Sequence, residues 1–242
     1  MTDIALALSG LGVTYGATTA LRDVTCSIGW GELVGVVGPN GAGKSSLFRA
    51  ICGLVDHTGA VNLCGQRCHH RRDRAGAGFI PQRSDIDPDF PITVAELVLT
   101  GRRRYRRAWQ RPTGADRTAA ADCIERVGLA GRERDAIGTL SGGQLQRAML
   151  ARSLAQGADL LLLDEALSGV DTPTTGDLFT LFDDLTNRGA TVLVATHDLA
   201  LARHRFHRCL GINQTLIADG APHDVLDGAA LEAIYGSGPK AV

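Results

Sequence analysis

The 242-residue sequence predicts an α/β fold with a mostly parallel sheet. Short apolar or β-branched runs, typical of strands, alternate along the chain with segments whose apolar residues recur at helical spacing. One apolar run leads directly into a glycine-rich loop and then a helical pattern, and a stretch of different composition interrupts the strand-rich sequence. These observations predict a core of strands and helices that carries a helical insertion.

The first part of the chain predicts three strands. Residues Ile4–Leu8 and Val24–Ile28 alternate apolar with small or polar side chains, as half-buried strands do. Gly29-Trp30-Gly31 predicts a turn. Glu32–Val37 is a nearly continuous β-branched run, which fits a strand buried on both faces.

The loop after the third strand predicts phosphate binding. It reads Gly38-Pro39-Asn40-Gly41-Ala42-Gly43-Lys44-Ser45, and Ser46 follows. Its glycines allow backbone N–H groups to surround phosphate oxygens, because glycine tolerates positive φ and close backbone approach. Lys44 adds a positive charge for the β- and γ-phosphates, and the Ser45 hydroxyl suits Mg²⁺. Ser45–Cys52 then predicts a helix ending at Gly53, the context that this loop requires.

The middle of the chain, from residue 84 to about 155, predicts a helical insertion. Asp, Pro and Arg become frequent there, and three helical patterns are each followed by a glycine that could end the helix. The patterns span Val94–Thr100, Ala115–Val127 and Ser141–Gln156, followed by Gly101, Gly128 and Gly157. We therefore expect a core at about 1–83 and 157–220, a helical subdomain at about 84–156, and a short appendage at 221–242.

Several predicted core strands end in polar side chains. Gln82 follows the strand Ala77–Pro81, and His197 follows the strand that begins at Thr191. Leu160–Leu163 runs into Asp164 and Glu165, and a further strand is predicted over Cys209–Ile212. Ligands of open α/β sheets gather at the carboxyl ends of strands. There Asp164 suits Mg²⁺ and Glu165 suits polarising an attacking water.

A second anion-binding motif, Leu140-Ser141-Gly142-Gly143-Gln144, opens a predicted helix. Unpaired N–H groups at a helix N-terminus favour an anion. The chain thus carries two phosphate-binding motifs in a fixed order. Together with the polar strand ends, this order resembles the ATP-binding subunit of ABC (ATP-binding cassette) transporters, and the resemblance runs from residue 4 to about residue 220.

The resemblance implies a P-loop NTPase (RecA-like) core, an N-terminal antiparallel β subdomain and an inserted α-helical signature subdomain. It also implies a head-to-tail dimer with a second copy of the subunit. ATP would then lie between the phosphate loop of one subunit and Ser141, Gly142, Gly143 and Gln144 of the other. The chain is thereby expected to hydrolyse ATP with Mg²⁺.

The same resemblance assigns roles to single residues. His197 corresponds to the switch histidine that contacts the γ-phosphate, and Gln82 to the glutamine that touches Mg²⁺ or the water. Ser168–Asp171 corresponds to a loop along the dimer interface. Tyr15 is placed to stack on adenine, although a strand-end aromatic that covers the core is the alternative. Ala166 stands where the family usually has proline; its loss removes no functional group, and we expect activity to survive.

The resemblance also implies partners. These are an integral-membrane permease and, indirectly, an extracytoplasmic substrate-binding protein. The segment Ile86–Val94 and the residues after it look like the ATPases of manganese, zinc and iron uptake systems. An iron-chelate transporter, an exporter, a non-transport ABC ATPase and a catalytically inactive binding module are the alternatives.

The composition and hydropathy of the chain indicate which partners and which cellular location to expect. The net charge of −1 and pI of about 6.6 give no reason to expect nucleic acid as a partner. The mean hydropathy is +0.02, no apolar stretch is long enough to span a bilayer, and the N-terminus lacks a signal-peptide pattern. We therefore expect the chain to lie at the cytoplasmic face of a membrane, bound there through the permease. We expect its cysteines to be reduced thiols.

Two clusters have more than one interpretation. Cys64, Cys68, His69 and His70 resemble part of a metal site, but a strand end followed by a polar loop is the simpler interpretation. The run Arg102–Arg107 has three interpretations: a solvated surface, a contact with the permease or acidic lipid headgroups, and a patch that binds phosphate or nucleic acid.

Overall fold

Two β-sheets organise the fold. The structure is a computed structural model that describes residues 4–64, 66–68, 74, 76–82, 86–87, 89–105, 110–165 and 172–236. An antiparallel sheet has the order β2–β1–β4–β5, with β1 Ile4–Tyr15, β2 Thr18–Gly29, β4 Thr58–Leu63 and β5 Gln66–Arg67. A six-stranded sheet has the order β10–β9–β3–β8–β7–β6, with β3 Leu33–Val37, β6 Ala77–Ile80, β7 Leu160–Asp164, β8 Thr191–Thr196, β9 Arg208–Asn213 and β10 Thr215–Gly220.

The larger sheet is parallel except at one edge. Strands β9, β3, β8, β7 and β6 pair in parallel, and only β10 pairs antiparallel. Along β7, Leu160 and Leu162 join one hydrophobic cluster, while Leu161 and Leu163 join the other. The sheet is therefore covered on both faces, which explains the uninterrupted apolar sequence of its central strands. The predicted α/β fold is confirmed, with a mostly parallel sheet and an antiparallel β subdomain.

The helices cover the sheet and build the insertion. Among the described residues, no helix is both long enough and apolar enough to cross a bilayer. The helices are α1 Lys44–Ile51, α2 Val94–Gly101, α3 Gly114–Arg126, α4 Gly142–Ala155, α5 Thr172–Asn187, α6 Leu199–Arg205, α7 Pro222–Val225 and α8 Gly228–Tyr235, with 3₁₀ turns at Arg102–Tyr105 and Ile137–Thr139.

Several elements extend beyond the sequence prediction. Strands β1 and β2 are 12 residues each, because they pair with each other along most of their length. Strands β4, β5 and β10 and helices α5 and α6 had no predicted counterpart. In β4 and β10 most side chains are exposed or half-buried, so these two strands lack the apolar runs that mark the central strands of the larger sheet.

Gly101 has a different role from the predicted helix stop. It belongs to the last turn of α2, and Arg102 follows in a right-handed helical conformation. A Cβ at Gly101 would lie 2.2 Å from the Arg152 carbonyl oxygen of α4. Close approach of two helices therefore explains this glycine. Gly53, Gly128 and Gly157, by contrast, have the positive φ of helix-ending glycines, at 64°, 73° and 72°.

Replacement of Gly101 by Ala is expected to lower the free energy of unfolding by about 1–3 kcal/mol, because the added methyl group must push α2 away from α4. Gly114→Ala is the matched control. Nothing lies within 4 Å of its Cβ position, so it should be neutral or stabilising by up to about 1 kcal/mol. Urea denaturation of both variants measures the difference, and equal midpoints would show that α2 and α4 are not in close contact at Gly101.

Candidate active site at the phosphate loop

The phosphate loop connects β3 to α1 and fits closely against neighbouring strands. Gly41 and Gly43 have φ of 79° and 98°, a region that disfavours other residues. A Cβ at Gly43 would lie 2.5 Å from the Ala20 carbonyl oxygen of β2. The loop borders a cavity of about 350 Å³, which is lined by Ala20, Asn40, Gly41, Ala42, Gly43, Lys44, Ser45, Ser46, Gln82 and Glu165.

Lys44 is held inside the loop. Its Nζ donates to the carbonyl oxygens of Gly38 at 2.7 Å and Pro39 at 3.0 Å, and its side chain is 5% exposed. Burial lowers the pKa of the Lys44 ammonium, while the carboxylates of Glu165 and Asp164 oppose that shift. The loop thus presents a positive charge at the cavity. The carbonyl groups of Gly38 and Pro39 face the lysine and hold it in place.

The Ser45 hydroxyl and the Asp164 carboxylate place two oxygens of the kind that Mg²⁺ binds next to each other. Ser45 Oγ donates to Asp164 Oδ1 at 3.0 Å, although 119 positions separate them in sequence. Asp164 is 2% exposed at the end of β7. Hydroxyl and carboxylate oxygens are hard ligands of the kind that Mg²⁺ prefers, so these residues fit the ion.

Glu165 brings three predicted residues together. Its carboxylate accepts a hydrogen bond from Gln82 Nε2 at 3.1 Å and lies 4.0 Å from Lys44 Nζ. His197 Nδ1 is 3.9 Å away, on a side chain that is 56% exposed. Glu165 itself has φ of 46°, a sparsely populated conformation for a non-glycine residue. Such strain is common at functional positions, and here the backbone turns directly after β7.

Three neighbouring parallel strands explain why these residues meet. Strands β6, β7 and β8 lie side by side, and Gln82, Glu165 and His197 each follow the carboxyl end of one of them. Carboxyl ends of parallel strands share one edge of the sheet. The cluster is therefore a direct product of strand order.

Tyr15 lies at the tip of the β1–β2 hairpin. Its side chain is 44% exposed, so a large part of the ring is accessible from solvent. It pairs with Thr18 across the hairpin, and Ala20, two residues further along β2, lines the cavity. Stacking of the exposed Tyr15 ring on adenine remains a prediction.

The signature motif forms the N-terminus of α4. Ser141 Oγ accepts from the Gln144 N–H at 3.3 Å, and Gln144 Oε1 accepts from the Ser141 N–H at 2.9 Å, which makes a capping box. The first-turn N–H groups left without an intrahelical partner are then those of Gly142 and Gly143. No residue of the motif lies among the described residues that line the phosphate-loop cavity.

Residue order alone did not reveal how the phosphate loop is supported. The Gln214 N–H donates to the Ala42 carbonyl oxygen at 2.9 Å, and the Gln214 carbonyl oxygen accepts from Arg22 N–H at 2.7 Å. Gln214 has φ of 59° in the turn between β9 and β10. Because these bonds use only backbone atoms, no residue type marks the position in the sequence.

Some predicted positions lie elsewhere. Ala166 and the loop Ser168–Asp171, including Asp171, fall outside the described residues, as do His69 and His70.

Cys64 is exposed and Cys68 is buried, and all six cysteines are free thiols. Within the arginine run, Arg104 Nη1 and Tyr105 Oη each donate to the Gln156 carbonyl oxygen, so this segment contacts the C-terminal end of α4.

Known proteins share this architecture. The family model for the ABC transporter matches residues 21–168. A metal transport system ATP-binding protein of Chlamydia trachomatis is 39% identical, with 96% of this chain and 90% of that protein covered. A manganese transport system ATP-binding protein of Synechocystis is 35% identical, with 97% and 91% covered. A dimeric ATP-binding cassette bound to ADP and phosphate has a TM-score of 0.77 and 26% identity, with 90% of this chain and 98% of that chain covered.

Proposed function

The chain belongs to the ABC transporter family, and on that premise we propose that it is the ATP-hydrolysing subunit of an uptake system for a divalent transition metal. Manganese is the first candidate, with zinc and iron as the nearest alternatives. The observation that carries this proposal is likeness over almost the whole chain to proteins named for metal and manganese transport. The metal is cargo and never touches this subunit, so the substrate assignment rests on that likeness.

ATP binding begins at the phosphate loop. Backbone N–H groups of the loop surround the phosphates, and Lys44 places its ammonium toward the β- and γ-phosphates. Ser45, Asp164 and Gln82 would hold Mg²⁺. When bound, the ion neutralises charge on the β- and γ-phosphate oxygens. Tyr15 stacks on the adenine ring.

Hydrolysis depends on the cluster around Glu165. Its carboxylate takes a proton from the attacking water, and the Gln82 amide holds that carboxylate at 3.1 Å. His197, 3.9 Å from the same carboxylate, contacts the γ-phosphate and keeps the glutamate oriented. Because the three side chains come from adjacent strands, a small displacement of Gln82 changes the position of the base.

The site is completed by a second copy of the chain. Family members act as dimers with a membrane permease. In a head-to-tail dimer, the Gly142 and Gly143 N–H groups and the Ser141 hydroxyl of one copy contact the γ-phosphate bound by the other. A helix N-terminus supplies positive partial charge to that phosphate. Loss of the γ-phosphate removes these contacts, and the dimer opens.

This subunit thereby drives a permease from the cytoplasmic face of the membrane. The permease docks beside Gln82, near the segment Ile86–Val94, and an extracytoplasmic binding protein delivers the metal. ATP-dependent closure is thus transmitted to the membrane partner through the residues that follow β6.

Reconstitution of the complex tests the proposed substrate. We expect ATP hydrolysis by the subunit, permease and binding protein in liposomes to rise several-fold when the binding protein carries Mn²⁺, with Zn²⁺- and iron-loaded protein as comparisons. The metal-free binding protein is the control, and internalised metal should increase in step with hydrolysis. Absence of stimulation by all three metals would contradict the metal-uptake assignment.

A further inference from the structure

The C-terminal appendage, predicted at 221–242, packs against the strand beside the phosphate loop. Its described part holds α7 and α8, and Ile234 of α8 is fully buried. A Cβ at Gly211 of β9 would lie 2.2 Å from Ile234 Cδ1, so α8 approaches β9 closely at a residue without a side chain. Gly211 pairs with Val37, the last residue before the phosphate loop. The appendage is therefore joined to the sheet where that loop begins.

An ion pair orients the start of α8. Arg203 of α6 donates through Nη2 to the Leu226 carbonyl oxygen and to Asp227 Oδ1, the latter at 2.6 Å. Asp227 is the N-cap residue of α8, but its side chain makes no capping hydrogen bond within this described helix. The Asp227 carboxylate thus holds α8 against α6, which begins shortly after His197. Because both side chains of the pair are partly exposed, the contact orients α8 more than it stabilises the fold.

Tyr235, the last residue of α8, brings a hydroxyl group to the start of the phosphate loop. Burial raises the pKa of the Tyr235 phenol, and the Gly38 N–H, which faces the phenol oxygen, opposes that shift. Tyr235 Oη is buried, yet it makes no hydrogen bond of ordinary geometry with any described residue. The two groups are therefore neighbours whose hydrogen bond is incomplete in this arrangement.

The Tyr235 hydroxyl is unfavourable for folding alone. A buried hydroxyl group without a hydrogen-bond partner costs free energy, because it has lost its bonds to water. Phenylalanine would fill the same space without that cost. A tyrosine at this position is explained if its bond to the Gly38 N–H is completed in a second arrangement of the phosphate loop.

Nucleotide binding provides such an arrangement. Backbone N–H groups of the loop turn toward the phosphates, and Gly38 is the first residue of the loop. Gly38 is closely confined, since a Cβ there would lie 2.1 Å from the Ile212 carbonyl oxygen, so a small shift is enough to align its N–H with Tyr235 Oη. An interaction that is stronger in the nucleotide-bound arrangement raises the affinity for the nucleotide.

We propose that Tyr235 is a positioning residue of the nucleotide site, whose phenol oxygen accepts a hydrogen bond from the Gly38 N–H when the phosphate loop closes around the β-phosphate. The inference rests on the proposed function only in that ATP binds at this loop. It gives the C-terminal appendage a part in nucleotide affinity, which the phosphate-loop motif itself does not reveal.

Tyr235→Phe tests the proposal, because it removes the acceptor and keeps the ring. Its affinity for ADP should fall by about three- to tenfold, the effect of one lost hydrogen bond, while its urea-denaturation midpoint without nucleotide stays equal to or above that of wild type. The KM for ATP should rise by a similar factor and kcat should stay within about twofold, because the hydroxyl acts through Gly38 and not on the γ-phosphate. Tyr105→Phe is the matched control. It loses a hydrogen bond to the Gln156 carbonyl oxygen outside the described lining of the phosphate-loop cavity, and it should bind ADP like wild type.

Amide hydrogen exchange at Gly38 reports on the proposed bond itself. At saturating ADP, the Gly38 N–H should exchange at least about tenfold more slowly in wild type than in Tyr235→Phe. Unchanged ADP affinity in Tyr235→Phe, equal losses in Tyr235→Phe and Tyr105→Phe, or equal exchange at Gly38 would overturn the positioning role. If Tyr235→Phe lowers both the affinity and the denaturation midpoint, the exchange rates decide. Failure of the wild-type chain to bind either ADP or ATP would instead contradict the proposed function.

Discussion

Replacement of Glu165 by Gln is expected to reduce ATP hydrolysis by at least about 100-fold while ATP binding persists. Glutamine keeps the size of the side chain and its hydrogen-bonding oxygen, but it cannot accept a proton from water at neutral pH. Gln82 and Lys44 each contact an oxygen of the Glu165 carboxylate. The side-chain amide of glutamine keeps one of these two oxygens, so one of the two contacts is retained. ATP hydrolysis should therefore be lost with little change in the structure of the site.

Blocked hydrolysis should also reveal the closed dimer. With the γ-phosphate retained, Glu165→Gln should migrate as a dimer in size-exclusion chromatography with ATP and as a monomer with ADP. Glu125→Gln, an exposed glutamate on α3, is the control and should hydrolyse ATP at the wild-type rate. Undiminished turnover in Glu165→Gln would remove this residue from the role of base.

Lys44→Ala and Ser141→Arg are expected to abolish activity for different reasons. The isolated Lys44→Ala chain should lose ATP binding by at least about tenfold, because the only buried ammonium at the described cavity is removed. Ser141→Arg should bind ATP normally as an isolated chain, since Ser141 does not line that cavity, yet it should neither dimerise nor hydrolyse. Fluorescent-nucleotide titration separates the two, and weak binding by Ser141→Arg would place the signature motif within the same chain's site.

Local patterns explain what the sequence could predict. The strand at Leu33–Val37, the glycine loop and the helix from Lys44 each follow from neighbouring residues, as does the start of a helix at the signature motif. Contacts between residues that are distant in sequence could not be predicted in this way. Gly101 looked like a helix stop because its partner, the Arg152 carbonyl oxygen on α4, is remote in sequence.

In the candidate site, too, the sequence identified residues but not the contacts between them. Gln82 and Glu165 were identifiable as polar residues at strand ends, but their 3.1 Å contact joins positions 83 apart. It depends on β6 and β7 being neighbours, which residue order does not specify. The support of the phosphate loop by Gln214 uses backbone atoms, so no residue type marks it in the sequence.

The central claim is that each ATP is bound by the phosphate loop of one copy and the signature motif of the other. Mixing the two inactive variants, Lys44→Ala and Ser141→Arg, each in the Glu165→Gln background, tests it most directly. A mixed dimer would contain one site with both defects and one site with neither. We predict that the mixture forms a dimer that retains one ATP, although neither variant forms a dimer alone. If the mixture stays monomeric with no retained ATP, or if either variant dimerises alone with ATP, the shared-site account is contradicted.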